Sequence, residues 1–234
     1  MKASAASADR WPGVCGGKSG CGPRALRALV AAIPLPDAMP RSILVLYAHP
    51  AQHRSEAHAL LARVAGGVEG LTFVDLYAEY PRFEIDIDRE QARLLAHDVI
   101  VFQHPVYWYS TPALLKEWQD LVLEYGWAYG PGGAALAGKL FLCAVTAGSP
   151  AEAYGPDGYH RFPLRTLLTP LEQTATLCRM TFLPPFVLFG ARKAARGAQL
   201  ALHGARYRRL LEALRDDRLD PAQHASEPLL EFMS

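Results

Sequence analysis

The sequence predicts an α/β protein, a three-layer sandwich whose central sheet has five parallel strands in the order 2-1-3-4-5. Strand-like and helix-like segments alternate five times along the chain, and this alternation is typical of an open parallel sheet with helices on both faces. The strand-like segments are continuous apolar runs, as expected of strands that are covered on both sides. A length of 234 residues suits one domain.

Five short apolar runs are the predicted strands, at residues 42–47, 71–76, 98–103, 139–146 and 185–189. Helical segments are predicted between and after them, at 55–64, 88–97, 111–125, 163–177 and 199–214. Thr111 and Pro112 are typical of a helix cap followed by a first helical turn. We therefore expect one domain over residues 39–215, followed by a polar tail at 216–234.

The first 38 residues differ in composition from the rest of the chain. Ala, Gly, Pro and Ser make up more than half of them, and five basic side chains stand against two acidic ones. We expect a disordered extension here. Two alternatives stay open. The gene could start at Met39 instead of Met1, or the short apolar run before Pro34 could belong to a secretory signal.

Composition excludes several classes of protein. Half of the residues are hydrophobic and 20% are charged, which allows a sizeable core and argues against general disorder. The formal net charge of +1 gives no reason to expect a nucleic-acid partner. No apolar run approaches the roughly 18 residues of a membrane span. The cysteines match no zinc spacing, so we expect no metal site and reduced thiols in a cytoplasmic protein: Cys15, Cys21, Cys143 and Cys178.

The loop after the first strand has the features of a phosphate site. In a sheet of this order, ligands bind beyond the carboxyl ends of strands one and three. This loop runs into the start of a helix, whose free N–H groups and dipole attract an anion. His49, His53 and Arg54 add charge, while Ser55 is either a ligand or a plain helix cap. Neither GxxxxGK[ST] nor GxGxxG is present, which argues against nucleoside triphosphates and standard dinucleotide sites.

Two further loops complete the expected site. Tyr107, Trp108 and Tyr109 follow the third strand, where they either stack on a flat ring or pack over the sheet edge. Small residues from Thr146 to Ser149 follow the fourth strand and let the backbone approach a ligand closely. A phosphate loop, an aromatic loop and a small polar loop at adjacent strand ends together meet the needs of a flavin mononucleotide (FMN).

Seven sequence motifs lie at and between these loops: Tyr47-Ala-His-Pro50, Gln103-His-Pro105, Trp108-Tyr-Ser110, Pro112-Ala-Leu-Leu-Lys116, Gly126-Trp-Ala-Tyr-Gly130, Ala144-Val-Thr146 and Leu183-Pro-Pro-Phe186. In these motifs the chain resembles the NAD(P)H:quinone oxidoreductases of the DT-diaphorase type, which have the flavodoxin-like fold. It resembles more closely the ancillary subunits of glutathione-gated potassium-efflux systems, the KefF/KefG group. The resemblance runs from about residue 42 to 214.

The resemblance implies an FMN-dependent enzyme that transfers two electrons from NAD(P)H to a quinone. It also implies a homodimer and a membrane potassium/proton antiporter as partner, with the protein in the cytoplasm or peripheral at the inner face of the membrane. A regulatory subunit that binds FMN only structurally is the alternative. The implied FMN-binding residues are His49, Ser55, Glu56, Ala57, His58, Val106, Tyr107, Trp108, Tyr109, Thr146, Ala147, Gly148 and Ser149.

Two positions depart from the pattern of the resembling family. That family commonly has Asn where His58 stands, and it has Thr-Thr-Gly-Gly where this chain has Thr-Ala-Gly-Ser at 146–149. Ala147 therefore lacks a hydroxyl, and Ser149 adds a side chain at a position where the backbone approaches the flavin.

Tyr154 and His160 are the predicted catalytic pair, because the resembling diaphorases place a Tyr and a His at this spacing beside the flavin. Hydride transfer leaves negative charge, to which a tyrosine hydroxyl donates, and a histidine of ordinary pKa supplies a proton. An incidental pair in a surface loop is the alternative. The segment Tyr125–Gly130 either reaches a neighbouring subunit or packs within its own chain. We expect His104 to pack in the interior, and three further histidines to lie at the surface: His97, His203 and His224.

Overall fold

A computed structural model describes residues 39–51, 55–194, 197–224 and 227–230 of the chain. The predicted extension at 1–38 therefore lies outside the described residues. The elements, in chain order, are β1 Ile43–Tyr47, α1 Glu56–Gly66, β2 Leu71–Asp75, α2 Leu76–Glu79, α3 Ile87–Leu95, β3 Val99–Pro105, α4 Ala113–Val122, β4 Leu140–Thr146, a 3₁₀ turn Ala151–Ala153, α5 Leu164–Leu167, α6 Thr169–Leu177, β5 Thr181–Phe182, β6 Phe186–Leu188, α7 Ala191–Ala194, α8 Ala198–Arg215 and α9 Pro221–His224.

The sheet has the predicted order β2-β1-β3-β4-β5, and every pairing in it is parallel. The fifth strand is divided into two pieces. β5 pairs with the start of β4 and β6 pairs with its end, with Pro184 and Pro185 between the two pieces. Proline has no N–H to donate to a sheet, so the ladder is interrupted there. The sequence prediction of 185–189 included β6 and missed β5.

The predicted three layers are confirmed by the burial of the strands. Every residue of β1, β3 and β4 is buried. One face of the sheet packs against α3, α4 and α6, through side chains such as Leu94, Trp118 and Leu171. The other face packs against α1 and α8, for example through Leu61 and Tyr207. The continuous apolar runs of the sequence thus correspond to strands covered on both sides.

The segment predicted as a polar tail contributes to this second core. Leu219 and Leu230 are both nearly fully buried in it, and the N–H of Leu230 donates to the carbonyl of Pro185 at 3.0 Å. Burying a leucine side chain contributes about 1.5–3 kcal/mol to stability. None of the described helices is long and apolar enough to cross a membrane.

A buried carboxylate joins α3 to α4. Glu90 is fully buried and accepts hydrogen bonds from the Tyr80 hydroxyl at 2.6 Å and from the Trp118 ring nitrogen at 3.0 Å. It also pairs with the guanidinium of Arg93. A buried charge is tolerated only when it is paired in this way, and removing one partner of such a pair typically costs about 3–5 kcal/mol.

The start of α4 differs from the prediction of a Thr111 cap. Pro112 occupies the cap position, where its extended ψ of 151° sets the entry into the helix, and no side chain caps the helix. Thr111 stands one residue too early to reach the first turn, and its hydroxyl is buried without a hydrogen-bond partner among the described residues.

Candidate active site

A cleft of about 580 Å³ lies at the carboxyl ends of the strands, within the usual size range of small-molecule sites. Its lining includes most of the residues predicted to bind FMN: His49, Ser55, Glu56, Ala57, Val106, Tyr107, Thr146 and Gly148. Because parallel strands end at the same edge of the sheet, the fold brings these three distant stretches of sequence together. The remaining predicted residues are His58, Trp108, Tyr109, Ala147 and Ser149, and they lie outside this lining.

The helix end of the cleft consists of His49, Ser55–His58 and Thr146. The Ser55 side chain caps α1 and accepts a hydrogen bond from the N–H of His58 at 3.2 Å. The first N–H groups of a helix have no partner within the helix, and the dipole of the eleven-residue α1 favours an anion at this point. Ser55 is therefore a helix cap at a place suited to phosphate. His53 and Arg54, predicted to add charge, lie outside the described residues.

His58 stands behind the cleft wall and ties α1 to β4. Its Nε2 lies 2.8 Å from the Thr146 hydroxyl, and its Nδ1 is buried without a partner among the described residues. Burial, together with the nearby His49 and His104, holds the pKa of His58 well below its ordinary value. His58 is therefore neutral at pH 7, and it positions Thr146 rather than supplying charge.

We call Tyr107–Ser110 and Ser149–His160 the aromatic end; Tyr107 belongs to the described lining of the cleft, and the other residues lie outside it. Tyr107 and Ser110 exchange both backbone hydrogen bonds at 3.0 Å, which makes Trp108 and Tyr109 the two central residues of a tight turn. Both have left-handed backbone angles, with φ of 48° and 65°, which cost non-glycine residues about 1–2 kcal/mol each. The turn leaves the Trp108 side chain 92% exposed.

In the loop after β4, the backbone of one residue is already hydrogen-bonded, whereas the next residue is open to the cleft. The N–H of Ala147 donates to Leu188, and its carbonyl accepts from Ala191, so the backbone of Ala147 is already paired with β6 and α7. Gly148 is open to the cleft, because a side chain there would approach only the Arg192 Nε, at 3.8 Å. Among the predicted loop residues, Thr146 and Gly148 line the cleft.

Arg192 also lines the cleft and was not predicted from the sequence. It lies on α7, directly after β6, and its side chain is exposed at the wall formed by Gly148 and Ala191. Among the described residues none forms an ion pair with it within 4 Å. The sequence signal for Arg192 was its position just after the last strand. A residue at such a position lies at the same edge of the sheet as the other loops.

Tyr154 and His160 are brought together as predicted. Their rings stack with centroids 4.3 Å apart and an interplanar angle of 20°. His160 Nε2 lies 2.9 Å from the Ser149 hydroxyl, and its Nδ1 lies 3.4 Å from the Tyr109 hydroxyl. Burial raises the pKa of Tyr154, and a hydrogen bond with Ser149 partly offsets that rise. Tyr154 is therefore a protonated donor at neutral pH.

The other histidines are mostly interior. His104 is fully buried as expected, and burial lowers its pKa to about 4. The prediction of a surface position was wrong for His97, which lies between Thr72 and the Arg93 carbonyl. It was also wrong for His203, which stacks on a β6 ring, because α8 packs back onto the sheet. His224 is half-buried, and its Nδ1 lies 3.0 Å from the carboxylate of Glu227.

The segment Tyr125–Gly130 is partly folded onto its own chain. Trp127 and Tyr129 pack against the core, whereas the Tyr125 side chain is 68% exposed. Cys143 and Cys178 are free and buried, while Cys15 and Cys21 lie outside the described residues. Among the described residues no three His, Cys, Asp or Glu side chains group as a metal site requires.

Comparisons with known proteins agree with this architecture. Residues 41–211 match the family described as having the Flavodoxin-like fold. The ancillary protein KefG of the glutathione-regulated potassium-efflux system from Cronobacter sakazakii is 50% identical over 169 residues, which cover 72% of this chain and 91% of that protein.

Two solved structures are similar in fold and sequence. General stress protein 14 from Treponema denticola, solved in complex with FMN, is 36% identical with a TM-score of 0.70, covering 74% of this chain and 99% of that one. An NADPH-quinone reductase from P. pentosaceus is 29% identical with a TM-score of 0.65, covering 73% and 97%. The chain therefore belongs to the flavodoxin-like fold family and, within it, to the family of the KefG ancillary proteins.

Proposed function

We propose that the protein is an FMN-dependent NAD(P)H:quinone oxidoreductase that transfers two electrons. The observation that carries this proposal is the cleft itself, where a helix start, an aromatic turn and an open glycine meet beside a stacked Tyr154–His160 pair. A relative of the same fold is solved in complex with FMN, and another is named an NADPH-quinone reductase.

The residues of the helix end suit the phosphate of FMN. The start of α1 offers unpaired N–H groups and a favourable dipole. Arg192 supplies the one cationic side chain in the described lining of the cleft, and an arginine guanidinium binds a phosphate in a geometry that a lysine does not match. His58 and Thr146 hold each other in place behind this wall. The donor set therefore fits a phosphorylated ligand.

The residues of the aromatic end suit the flavin ring and its reactants. Gly148 leaves room for close approach of a planar group, and Tyr107 of the turn lines the cleft. Bound FMN would supply hydride acceptance and donation. Tyr154 would donate a hydrogen bond to the negative charge that results, and His160 would hold the proton that the product requires. NAD(P)H and the quinone would occupy the open side in turn.

Steady-state kinetics test this proposal. Without oxygen, the FMN-loaded protein should oxidise more than one equivalent of NADPH or NADH only when a quinone is present, with parallel double-reciprocal lines because the two reactants bind alternately. Free FMN at the same concentration, and the chain without FMN, are the controls. NAD(P)H oxidation no faster than that of free FMN would overturn the assignment as an enzyme.

A regulatory subunit is the second candidate, because a relative that is 50% identical is named an ancillary protein of a potassium-efflux system. In this alternative the protein docks on the cytoplasmic side of a membrane potassium/proton antiporter and binds FMN only structurally. Potassium efflux from cells with the antiporter separates the two roles. If His160→Gln abolishes quinone reduction and efflux is still activated, regulation does not need catalysis. If efflux activation falls in parallel, catalysis and regulation are coupled.

We also propose that the protein is a homodimer. Trp108 and Tyr125 give the chain exposed aromatic surface, and aromatic residues are enriched at interfaces. Sedimentation of the wild-type chain and of Trp108→Ala measures this directly. A wild-type monomer at micromolar concentration would contradict it.

A further inference from the structure

Ser149 lies at the centre of a ring cluster that neither the fold nor the proposed function requires. Its hydroxyl lies 2.9 Å from His160 Nε2 and forms a hydrogen bond with the Tyr159 hydroxyl. His160 also stacks on Tyr154, with ring centroids 4.3 Å apart.

The number of donors and acceptors on a serine hydroxyl restricts how this cluster is arranged. Serine has one proton to donate and two lone pairs to accept with. A tyrosine hydroxyl is much more acidic than that of serine and is the better donor, so Tyr159 donates to Ser149. The single proton of Ser149 is then left for His160 Nε2. If Nε2 carried a proton instead, the Ser149 proton would have no acceptor among the described groups of the cluster.

The arrangement determines which nitrogen of His160 carries the proton. A neutral imidazole has one N–H and one acceptor nitrogen. If Nε2 accepts from Ser149, the proton is on Nδ1, which points at the Tyr109 hydroxyl 3.4 Å away. Any further proton that His160 takes up then binds at Nε2, on the side of Ser149 and Tyr154. The groups that face His160 are three tyrosines and a serine: Tyr109, Ser149, Tyr154 and Tyr159.

We propose that Ser149 is a positioning residue that holds His160 in the Nδ1–H tautomer, stacked on Tyr154, with Nε2 directed at the Ser149 hydroxyl. Its importance for the reaction rests on the proposed oxidoreductase function, whereas the tautomer itself does not. Without the hydroxyl, Nε2 loses the one hydrogen-bond partner that the described residues give it. His160 would then populate both tautomers and rotate more freely.

Nitrogen NMR of the full chain with ¹⁵N-labelled histidine tests the tautomer without reference to activity. The chain has eight histidines, and the His160→Gln variant assigns the His160 signal. We expect Nδ1 to be protonated and Nε2 to be unprotonated at pH 8. Ser149→Ala should shift His160 towards the Nε2–H tautomer, and Ser149→Thr, which keeps the hydroxyl, should retain the wild-type pattern. Thermal melting of each variant checks that it is folded.

The rate of flavin reduction in the FMN-loaded protein tests the consequence. Ser149→Ala should slow it about fivefold, as expected for the loss of one hydrogen bond, and should shift the acid limb of its pH profile, while Ser149→Thr restores both. An Nε2–H tautomer in the wild type, or identical His160 spectra in wild type and Ser149→Ala, would overturn the proposal. If NADPH fails to reduce the wild type while the tautomer shifts as expected, the proposed enzymatic function is wrong and the positioning role stands.

Discussion

The two ends of the cleft differ in how much of their structure is fixed by the surrounding fold. At the helix end, His49, His58 and Thr146 are at least 95% shielded from solvent, and the pairing of His58 with Thr146 joins α1 to β4. At the aromatic end, Trp108 and Tyr159 are 92% and 71% exposed. Two residues of the aromatic turn also have an unfavourable backbone conformation.

This difference in burial indicates that the two ends of the site have different roles in binding. A helix end whose side chains are already buried and packed is formed before any ligand arrives, so it loses little conformational freedom on binding a phosphate. An exposed turn with a strained backbone does not stabilise the fold, and backbone strain of this kind is concentrated at functional sites. The aromatic end therefore suits planar reactants that bind transiently, and the helix end suits a cofactor that remains bound.

The largest expected effect concerns the aromatic end. His160→Gln should slow the reduction of bound flavin by about a hundredfold, because a positioned proton donor typically contributes a factor of 10² or more. FMN affinity should change less than twofold, since His160 does not line the helix end. Stopped-flow absorbance and fluorescence titration measure the two quantities. An unchanged reduction rate would remove His160 from the mechanism.

The next effect concerns the helix end. Arg192→Gln should weaken FMN binding about tenfold, because a charge-assisted hydrogen bond to phosphate is lost. The affinity for riboflavin, which lacks the phosphate, should stay the same. Lys193→Gln is the matched control, since it removes a neighbouring exposed charge outside the cleft lining. Equal losses for FMN and riboflavin would mean that Arg192 contacts the ring instead.

Buried neutral histidines make the free energy of unfolding depend on pH, and the exposed turn makes no such contribution. Burial lowers the pKa of His203 to about 4, so between pH 6.5 and 4 the unfolded chain binds a proton that the folded chain does not. Stability therefore falls as the pH falls through this window, by at most about 1.4 kcal/mol per pH unit for this residue.

His203→Phe should remove that part of the pH dependence, because phenylalanine keeps the stacking on Phe186 and has no proton to bind. Urea unfolding of both proteins at pH 7 and pH 5 measures it. The wild type should lose more stability between the two values than the variant. Equal losses in both proteins would mean that His203 is protonated in the folded state.

The smallest effect tests the strain at the aromatic end. Trp108→Gly should raise the free energy of unfolding by about 0.5 kcal/mol, because relief of the left-handed strain exceeds the entropy that glycine adds to the unfolded chain. The quinone KM should rise in the same variant. Chemical denaturation checks the first value. A loss of more than 1 kcal/mol would show that the exposed ring stabilises the fold.

The sheet and the three loops at its edge were predictable because each rests on a local pattern. Continuous apolar runs identify β1, β3 and β4, whose residues are all buried. Parallel order then places the three loops at one edge without any knowledge of side chains. The division of the last strand was not predictable from apolar runs, because β5 has only two residues and one of them is exposed.

The details that were missed depend on contacts between distant parts of the chain. Ser149 looked like an obstacle to the flavin, yet its hydroxyl is engaged by rings ten and eleven residues further along. Glu90 lies in the predicted helix 88–97, and its burial against three partners was not addressed by the sequence patterns. Arg192 lies just after β6, a strand that was predicted, and its position there was the one signal that the sequence offered for its approach to the cleft.

The measurement that tests the central claim most directly is an anaerobic titration of the FMN-loaded protein with NADPH and then with NADH, followed by a quinone. The account predicts that the absorption of the oxidised flavin is lost with one equivalent of the preferred donor and returns when the quinone is added. Bound FMN that keeps its absorption with both donors would contradict it.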